Sequence, residues 1–137
     1  MIVETTAGRV RGAAGAFWGI PYAEAKRFEA PQQPKPWTGV RDALEAGPAA
    51  PQPPSRLEHA LGPIPLPQSE DCLSLNVFTP STTGSRPVLV WIHGGGFSLG
   101  SAVEKMYNAS SLAVGGPAII VTINYRYAED ADYAKWK

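Results

Sequence analysis

The chain has 137 residues with 12 basic and 12 acidic side chains, enough for one domain with a core and a charge balance that favours neither nucleic acid nor an anionic membrane. No apolar run is long enough to span a bilayer, and Met1–Thr5 lacks the basic start and apolar core of a secretory leader. The single cysteine, Cys72, excludes an intrachain disulfide and fits a reducing compartment, with the cytoplasm as the default location.

In chain order, Ile2–Gly12 reads as a β-hairpin that turns at Ala7-Gly8. Ala16–Ala23 reads as a third short strand, which Pro21 ends or confines to an edge. Together these pieces suggest a small antiparallel sheet. Residues 31–67 hold 10 of the 14 prolines and read as an extended surface segment, since proline removes donors and disfavours helix. Within it, Arg41–Glu45 could make a short turn, Ser55–Leu61 could make one helical turn, and Trp37 is expected to pin the segment down. A loop this long is either functional or wraps around a body.

Leu73–Thr79 alternates apolar and polar residues, the pattern of a half-buried strand. A polar turn at Pro80–Pro87 leads into Val88–Ile92, a continuous apolar run. That run reads as a buried strand, with Trp91 facing inward. Asn108–Val114 reads as a short helix with Asn108 at its N-cap and Gly115-Gly116 at its end. Pro117–Arg126 reads as another buried strand. Strand, helix and strand then form a βαβ unit with a right-handed crossover. Tyr127–Lys137 is polar and charged, and reads as a weak helix or a loose tail.

The chemistry concentrates in His93-Gly94-Gly95-Gly96-Phe97-Ser98-Leu99-Gly100, directly after the apolar strand. Consecutive glycines permit positive φ and let bare backbone approach another group closely. N–H groups presented this way can hold a negative oxygen, and a His-Gly-Gly-Gly loop does so for the oxyanion of acyl-transfer intermediates in lipases and esterases. Gly96-Phe97-Ser98-Leu99-Gly100 also satisfies Gly-x-Ser-x-Gly, which would make Ser98 a nucleophile on an elbow. Against that, Ser98 sits six residues beyond Ile92, in a loop rather than on a sharp strand-to-helix turn. If Ser98 acted, His93 would be its nearest base and Glu70 or Asp71 a possible acid. His93 can equally be a structural residue whose ring bonds to the loop, and His59 reads as an exposed loop residue. Cys72 reads as a small buried apolar residue. No Cys/His set has metal-ligand spacing and no phosphate-loop pattern occurs in that context, so neither metal nor cofactor is expected.

Five motifs in order resemble the carboxylesterase type B family, the cholinesterase-like branch of the α/β-hydrolases. They are Gly8-Arg-Val-Arg-Gly12, then Phe17–Ala23 with Lys26-Arg27-Phe28, then Ser69-Glu-Asp-Cys-Leu-Ser-Leu-Asn-Val77, then Trp91-Ile-His-Gly-Gly-Gly-Phe97, and finally Asn124-Tyr-Arg126. The resemblance covers about residues 2–126. It implies an α/β fold, the N-terminal portion of an α/β-hydrolase, with a small antiparallel hairpin sheet and a partial mixed central sheet over 1–126 and a divergent tail at 127–137. It implies a serine carboxylesterase acting on a small-molecule carboxylic ester. Gly95 and Gly96 match the glycines whose N–H groups bind the oxyanion. Gly94 and Phe97 are expected against the substrate, Phe97 matching a residue of the acyl pocket or gorge. Arg27 and Glu70 match a structural salt bridge, and Cys72 matches a cysteine that pairs in secreted members but has no partner here.

In the family the nucleophile elbow, the acid and the histidine follow the Asn-Tyr-Arg strand, so residues matching them are not expected in this chain. The same order places Val88–Ile92 between the Ala118–Asn124 strand and the nucleophile strand. Without the latter, an apolar sheet edge would be open to self-association, and stability would be marginal. Three readings result: an oxyanion half-site, a minimal esterase built on Ser98 and His93, or a non-catalytic binding module like family members that have lost catalysis.

Overall fold

The computed structural model describes residues 1–54, 67–104 and 108–127. His59, the expected helical turn at Ser55–Leu61 and the tail beyond Tyr127 lie outside the described residues. The strands are β1 (Ile2–Thr5), β2 (Gly8–Arg11), β3 (Ala16–Pro21), β4 (Val40–Asp42), β5 (Ser74–Phe78), β6 (Val88–Ile92) and β7 (Ile119–Ile123). Among the described residues one short helix, α1 (Ser110–Gly115), precedes β7.

β1 and β2 form the expected antiparallel hairpin, with Thr5 opposite Gly8. The two-residue turn is therefore Thr6-Ala7, one residue earlier than the sequence suggests. Thr5 holds it: its Oγ1 accepts from the N–H groups of Ala7 and Gly8, both at 3.2 Å, and donates to Gly8 O at 2.7 Å. Trp37 does pin the proline-rich segment. Its N–H donates to Ala7 O at 2.8 Å and its indole Nε1 to Arg9 O at 2.9 Å. The ring lies so close to Gly8 that a Cβ there would meet Nε1 at 2.7 Å.

Two local expectations are corrected here. The stretch around Arg41 is not a turn: Val40–Asp42 is β4, which pairs in parallel with β2 and adds an Arg11–Asp42 ion pair at 2.8 Å. The free edge of the hairpin captures this segment because Trp37 delivers it there. The hairpin sheet is thus three-stranded, in the order β1-β2-β4. β3 does not join it. β3 pairs antiparallel with β5, at one edge of a four-stranded mixed sheet ordered β3-β5-β7-β6. Phe17 on β3 nevertheless packs with Val10 and Ala43, so β3 stitches the two sheets together.

In the larger sheet β5 and β7 run antiparallel, and β6 and β7 run parallel. Parallel neighbours need a crossover connection, which the glycine loop and α1 belong to. Asn108 lies one residue before the helix N-cap, Ala109, and its Oδ1 accepts from Ser110 N–H at 3.0 Å. The core is divided among small clusters. Phe78, Ala16, Ala113 and Ile120 form one of them, with Trp18 packed edge-on to Phe78 at 4.9 Å.

The largest correction concerns β6. Every residue from Val88 to Ile92 is exposed, including Trp91 at 44%. The strand is apolar enough for a buried position, but it is the outer strand, and among the described residues too little packs on its faces to cover them. Burial belongs to the neighbours a strand has, which hydropathy alone does not reveal.

Candidate active site

The glycine loop starts where β6 ends. Ile92 is still paired with Ile123, and His93 then leaves the strand and is buried. The imidazole stacks on Tyr125, with ring centroids 4.4 Å apart and 15° between planes, and Tyr127 meets it edge-on at 5.9 Å. The Tyr125 hydroxyl donates to His93 O at 2.9 Å. His93 Nδ1 lies 2.8 Å from Gly94 O, a carbonyl that can only accept, so Nδ1 carries the proton. Nε2 is buried and without a partner among the described residues.

The far end of the loop is fastened more heavily. Gln52 holds Gly100 from both sides, donating from Nε2 to Gly100 O at 2.9 Å and accepting Gly100 N–H at Oε1 at 2.8 Å. The Tyr127 hydroxyl donates to the same carbonyl. Asn124, just past β7, accepts from Ala102 N–H at 2.8 Å and Ser101 Oγ at 3.2 Å, and donates to Pro48 O at 3.1 Å. Burial pushes the phenols of Tyr125 and Tyr127 up from their ordinary value, so both hydroxyls remain donors further into alkaline pH than a free tyrosine would.

Between these anchors the backbone takes conformations that side chains resist. Gly95 has φ 121°, Gly96 φ 62° and Phe97 φ 61°. A Cβ on Gly95 would stand 1.7 Å from Leu99 O, whereas a Cβ on Gly96 would meet nothing within 4 Å. Gly95 O closes the turn by accepting from Ser98 N–H at 3.2 Å, Leu99 N–H at 3.3 Å and Ser98 Oγ at 3.1 Å. Among the described residues, no acceptor takes the N–H of Gly95 or Gly96. The loop borders an open depression of about 410 Å³ lined by Ile92, His93, Gly94, Gly96, Phe97 and Tyr125. Phe97 stands largely exposed at its rim. Two bare donors beside an apolar hollow can take a carbonyl oxygen or an anionic one.

The other sequence-predicted residues fall elsewhere. Ser98 Oγ is committed to Gly95 O, and among the described residues no hydrogen bond joins it to His93. No helix follows Ser98 through residue 104, so the strand–turn–helix setting of an elbow is not formed there. Arg27 and Glu70 do meet, at 3.5 Å, with both side chains nearly half exposed, a geometry worth at most about 1 kcal/mol. Cys72 is fully buried in a cluster with Ala23, Ala50 and Leu73, and burial pushes its thiol up, away from nucleophilic use. Among the described residues, no group of three His, Cys, Asp or Glu could hold a metal ion. Sequence reading missed the anchoring role of these residues: Gln52 gives no local signal, Tyr127 reads as the start of the tail, and Asn124 and Tyr125 stand out only as part of the Asn124-Tyr-Arg126 motif, with no role assigned.

The family model described as the carboxylesterase family matches residues 1–128. Para-nitrobenzyl esterase of Bacillus subtilis (strain 168) is 45% identical over 134 residues, covering 91% of this chain and 27% of that protein. Phenmedipham hydrolase of Pseudarthrobacter oxydans is 44% identical over 139 residues, covering 91% and 28%. Among solved structures, a PNB esterase superposes with a TM-score of 0.82 at 44% identity, covering 93% of this chain and 28% of that one. The carboxylesterase of Geobacillus stearothermophilus gives 0.77 at 41% identity, covering 92% and 26%. The chain thus spans about a quarter of the length of the relatives it matches.

Proposed function

Because this chain belongs to the carboxylesterase family, a family of ester hydrolases, and folds as a partial α/β-hydrolase, we propose that it carries the oxyanion-binding half of a serine carboxylic-ester hydrolase site. Its substrate class is a small-molecule carboxylic ester. The observation that carries this reading is the pair of N–H groups on Gly95 and Gly96 that have no partner among the described residues, on a loop anchored at both ends.

Serine attack on an ester carbonyl moves negative charge onto the carbonyl oxygen; collapse of that intermediate breaks the ester C–O bond and expels the alcohol, and water then hydrolyses the acyl-enzyme to the carboxylic acid and free serine. Donors already aimed at that oxygen stabilise the charge with no reorganisation at the moment of reaction, each contributing roughly 10²–10³ in rate. Gly95 and Gly96 donate; Gly94 leaves the approach open; Phe97 borders the acyl side. His93, through Nδ1–H to Gly94 O and its stack on Tyr125, keeps the start of the loop in place. The nucleophile, acid and base of the reaction are not among these residues. The buried, unpaired Cys72 supports a reducing, cytoplasmic setting.

Two measurements test the reading. Titration of the isotope-labelled chain with butylphosphonate, a stand-in for the tetrahedral oxyanion, is expected to move the Gly95 and Gly96 amide resonances first; shifts confined to other residues would overturn the assignment. Hydrolysis of p-nitrophenyl acetate is expected to be the same for the chain and for Ser98→Ala. Loss of the rate in that variant would make Ser98 the nucleophile instead.

A further inference from the structure

The proline-rich segment reaches the glycine loop through Gln52, 48 residues from Gly100 along the chain. Gly100 is buried, so both its backbone groups need partners. The Gln52 carboxamide supplies both: Oε1 accepts Gly100 N–H at 2.8 Å, and Nε2 donates to Gly100 O at 2.9 Å. A peptide group is planar, so Gly100 N–H and Leu99 C=O turn as one unit. By holding that N–H, Gln52 sets the direction of Leu99 O. Gly95 packs against this oxygen, and a Cβ on Gly95 would overlap it. Leu99 N–H also donates to Gly95 O at 3.3 Å, so residue 99 holds Gly95 from both sides. Gly100, at φ 117°, lies on the start of the loop, where a Cβ would meet His93 Nδ1 at 2.5 Å and Gly94 O at 2.6 Å. A shift of the Leu99–Gly100 peptide therefore passes directly to residues 93–95. Gln52 is itself fixed. Its N–H donates to Gln68 Oε1 at 3.0 Å and its Nε2 also to Ala50 O at 3.1 Å. Pro53 restricts Gln52 to extended backbone, and Pro51 does the same to buried Ala50.

We infer that Gln52 is the positioning residue of the oxyanion loop: through the Leu99–Gly100 peptide it sets the direction in which Gly95 and Gly96 present their N–H groups. The inference rests on the oxyanion reading of those two glycines. One hydrogen bond would let the peptide swing about it, whereas the pair to Gly100 fixes its orientation. A primary amide carries an acceptor and a donor side by side, which a hydroxyl, an ammonium or an ionised carboxylate does not. The Tyr127 hydroxyl donates to the same Gly100 carbonyl but cannot take the N–H, so the Leu99 side of the peptide is left to Gln52. The prolines around residue 52 thereby gain a role at the site: they stiffen the backbone from which the amide reaches across.

Butylphosphonate titration of the whole chain, read at the Gly95 and Gly96 amide resonances, tests this. Gln52→Met keeps the side chain's length and removes both bonds, and should raise the dissociation constant about ten-fold with the fold intact by circular dichroism. Gln52→Glu separates positioning from general stability. Ionised, the introduced carboxyl still accepts Gly100 N–H but turns its second oxygen on Gly100 O and Ala50 O; protonated, it donates to them as the amide does. Those facing carbonyls favour the protonated form and raise the group above the ordinary value of about 4.3. Relative to the unmodified chain at the same pH, affinity should be about ten-fold low at pH 8 and recover to within about three-fold at pH 5. The titratable groups around Gly100 are His93 and Tyr127, with Tyr125, Cys72 and Glu104 acting on Tyr127; all are present in both chains and cancel in the ratio. Should neither variant fold, the unmodified chain decides. Coupling is reciprocal, so the Gln52 side-chain amide resonances shift as butylphosphonate saturates Gly95 and Gly96, while those of exposed Gln32 do not. Variants that bind as tightly as the unmodified chain, a Gln52→Glu deficit unchanged by pH, or Gln52 resonances unmoved at saturation overturn the inference and leave the oxyanion reading standing. Gly95 and Gly96 resonances unmoved in the unmodified chain overturn both.

Discussion

β5 and β6 belong to one sheet and dispose of their side chains in opposite ways. In β5 the buried positions are Ser74, Asn76 and Phe78, two of them polar. In β6 every residue is apolar and every residue is exposed. β5 lies between β3 and β7, whereas among the described residues β6 has β7 alone. Asn76 can be buried because its polar atoms are met: Oδ1 accepts from Gly19 N–H at 3.0 Å, and Nδ2 donates to Thr122 Oγ1, also at 3.0 Å. Position in the sheet, not hydropathy, decides which strand reaches the interior; Asn76 follows because partners are supplied, whereas Ser74 Oγ is buried without a partner among the described residues. The glycine loop inherits both conditions, with its far end tied into the β5–β7 interior and its near end continuing the exposed strand.

If that contrast is right, the heaviest loss comes from the inner strand. Phe78→Ala, at a fully buried site packed against Trp18, is expected to cost about 3–5 kcal/mol in urea unfolding. Asn124→Ala removes the side chain that fastens Ser101, Ala102 and Pro48 and strands their polar groups. A cost of about 2–3 kcal/mol is expected, together with faster amide exchange at Ala102. Within the loop, Gly95→Ala should cost about 1–3 kcal/mol from backbone conformation alone, before its clash with Leu99 O is counted. Gly96→Ala has open space and should stay near 1 kcal/mol. Leu89→Thr on β6 should change stability by less than about 0.5 kcal/mol, the effect of a surface substitution. A cost at Leu89 comparable to that at Phe78 would mean that β6 is covered in solution.

A pH titration sharpens the same contrast through the loop anchors. Tyr125 and Tyr127 have folded-state pKa values raised by burial from the ordinary 10.0, so the folded state binds these protons more tightly than the unfolded chain. Their contribution is complete below pH 10 and is lost as the pH rises beyond it toward the folded values. Unfolding midpoints are expected to fall above pH 10, and Tyr127→Phe should flatten that fall.

The site was legible in part because its chemistry is local. His93 to Phe97 follows an apolar run, and bare glycines after a strand point to exposed N–H groups whatever surrounds them. The hairpin, β5, β6 and β7 were legible for the same reason, each being a short run with its own period and turn residues. What failed was whatever depended on distant partners. β4 read as a turn because its strand character comes from the edge of β2. β3 was assigned to the hairpin because sequence adjacency suggested it, but β5, more than fifty residues away, offered the better edge.

The sequence by itself determined the elements other than β4, the family and the position of the glycine loop, since composition, period and motif act over a few residues. The tertiary structure alone decided that β6 is the outer strand among the described residues and that Gln52, Asn124 and Tyr127 hold the loop. It also decided that Ser98 Oγ turns to Gly95 O with no bond to His93. Each of these is a matter of which groups, remote along the chain, come within a hydrogen bond or a van der Waals contact once the sheet has ordered its strands.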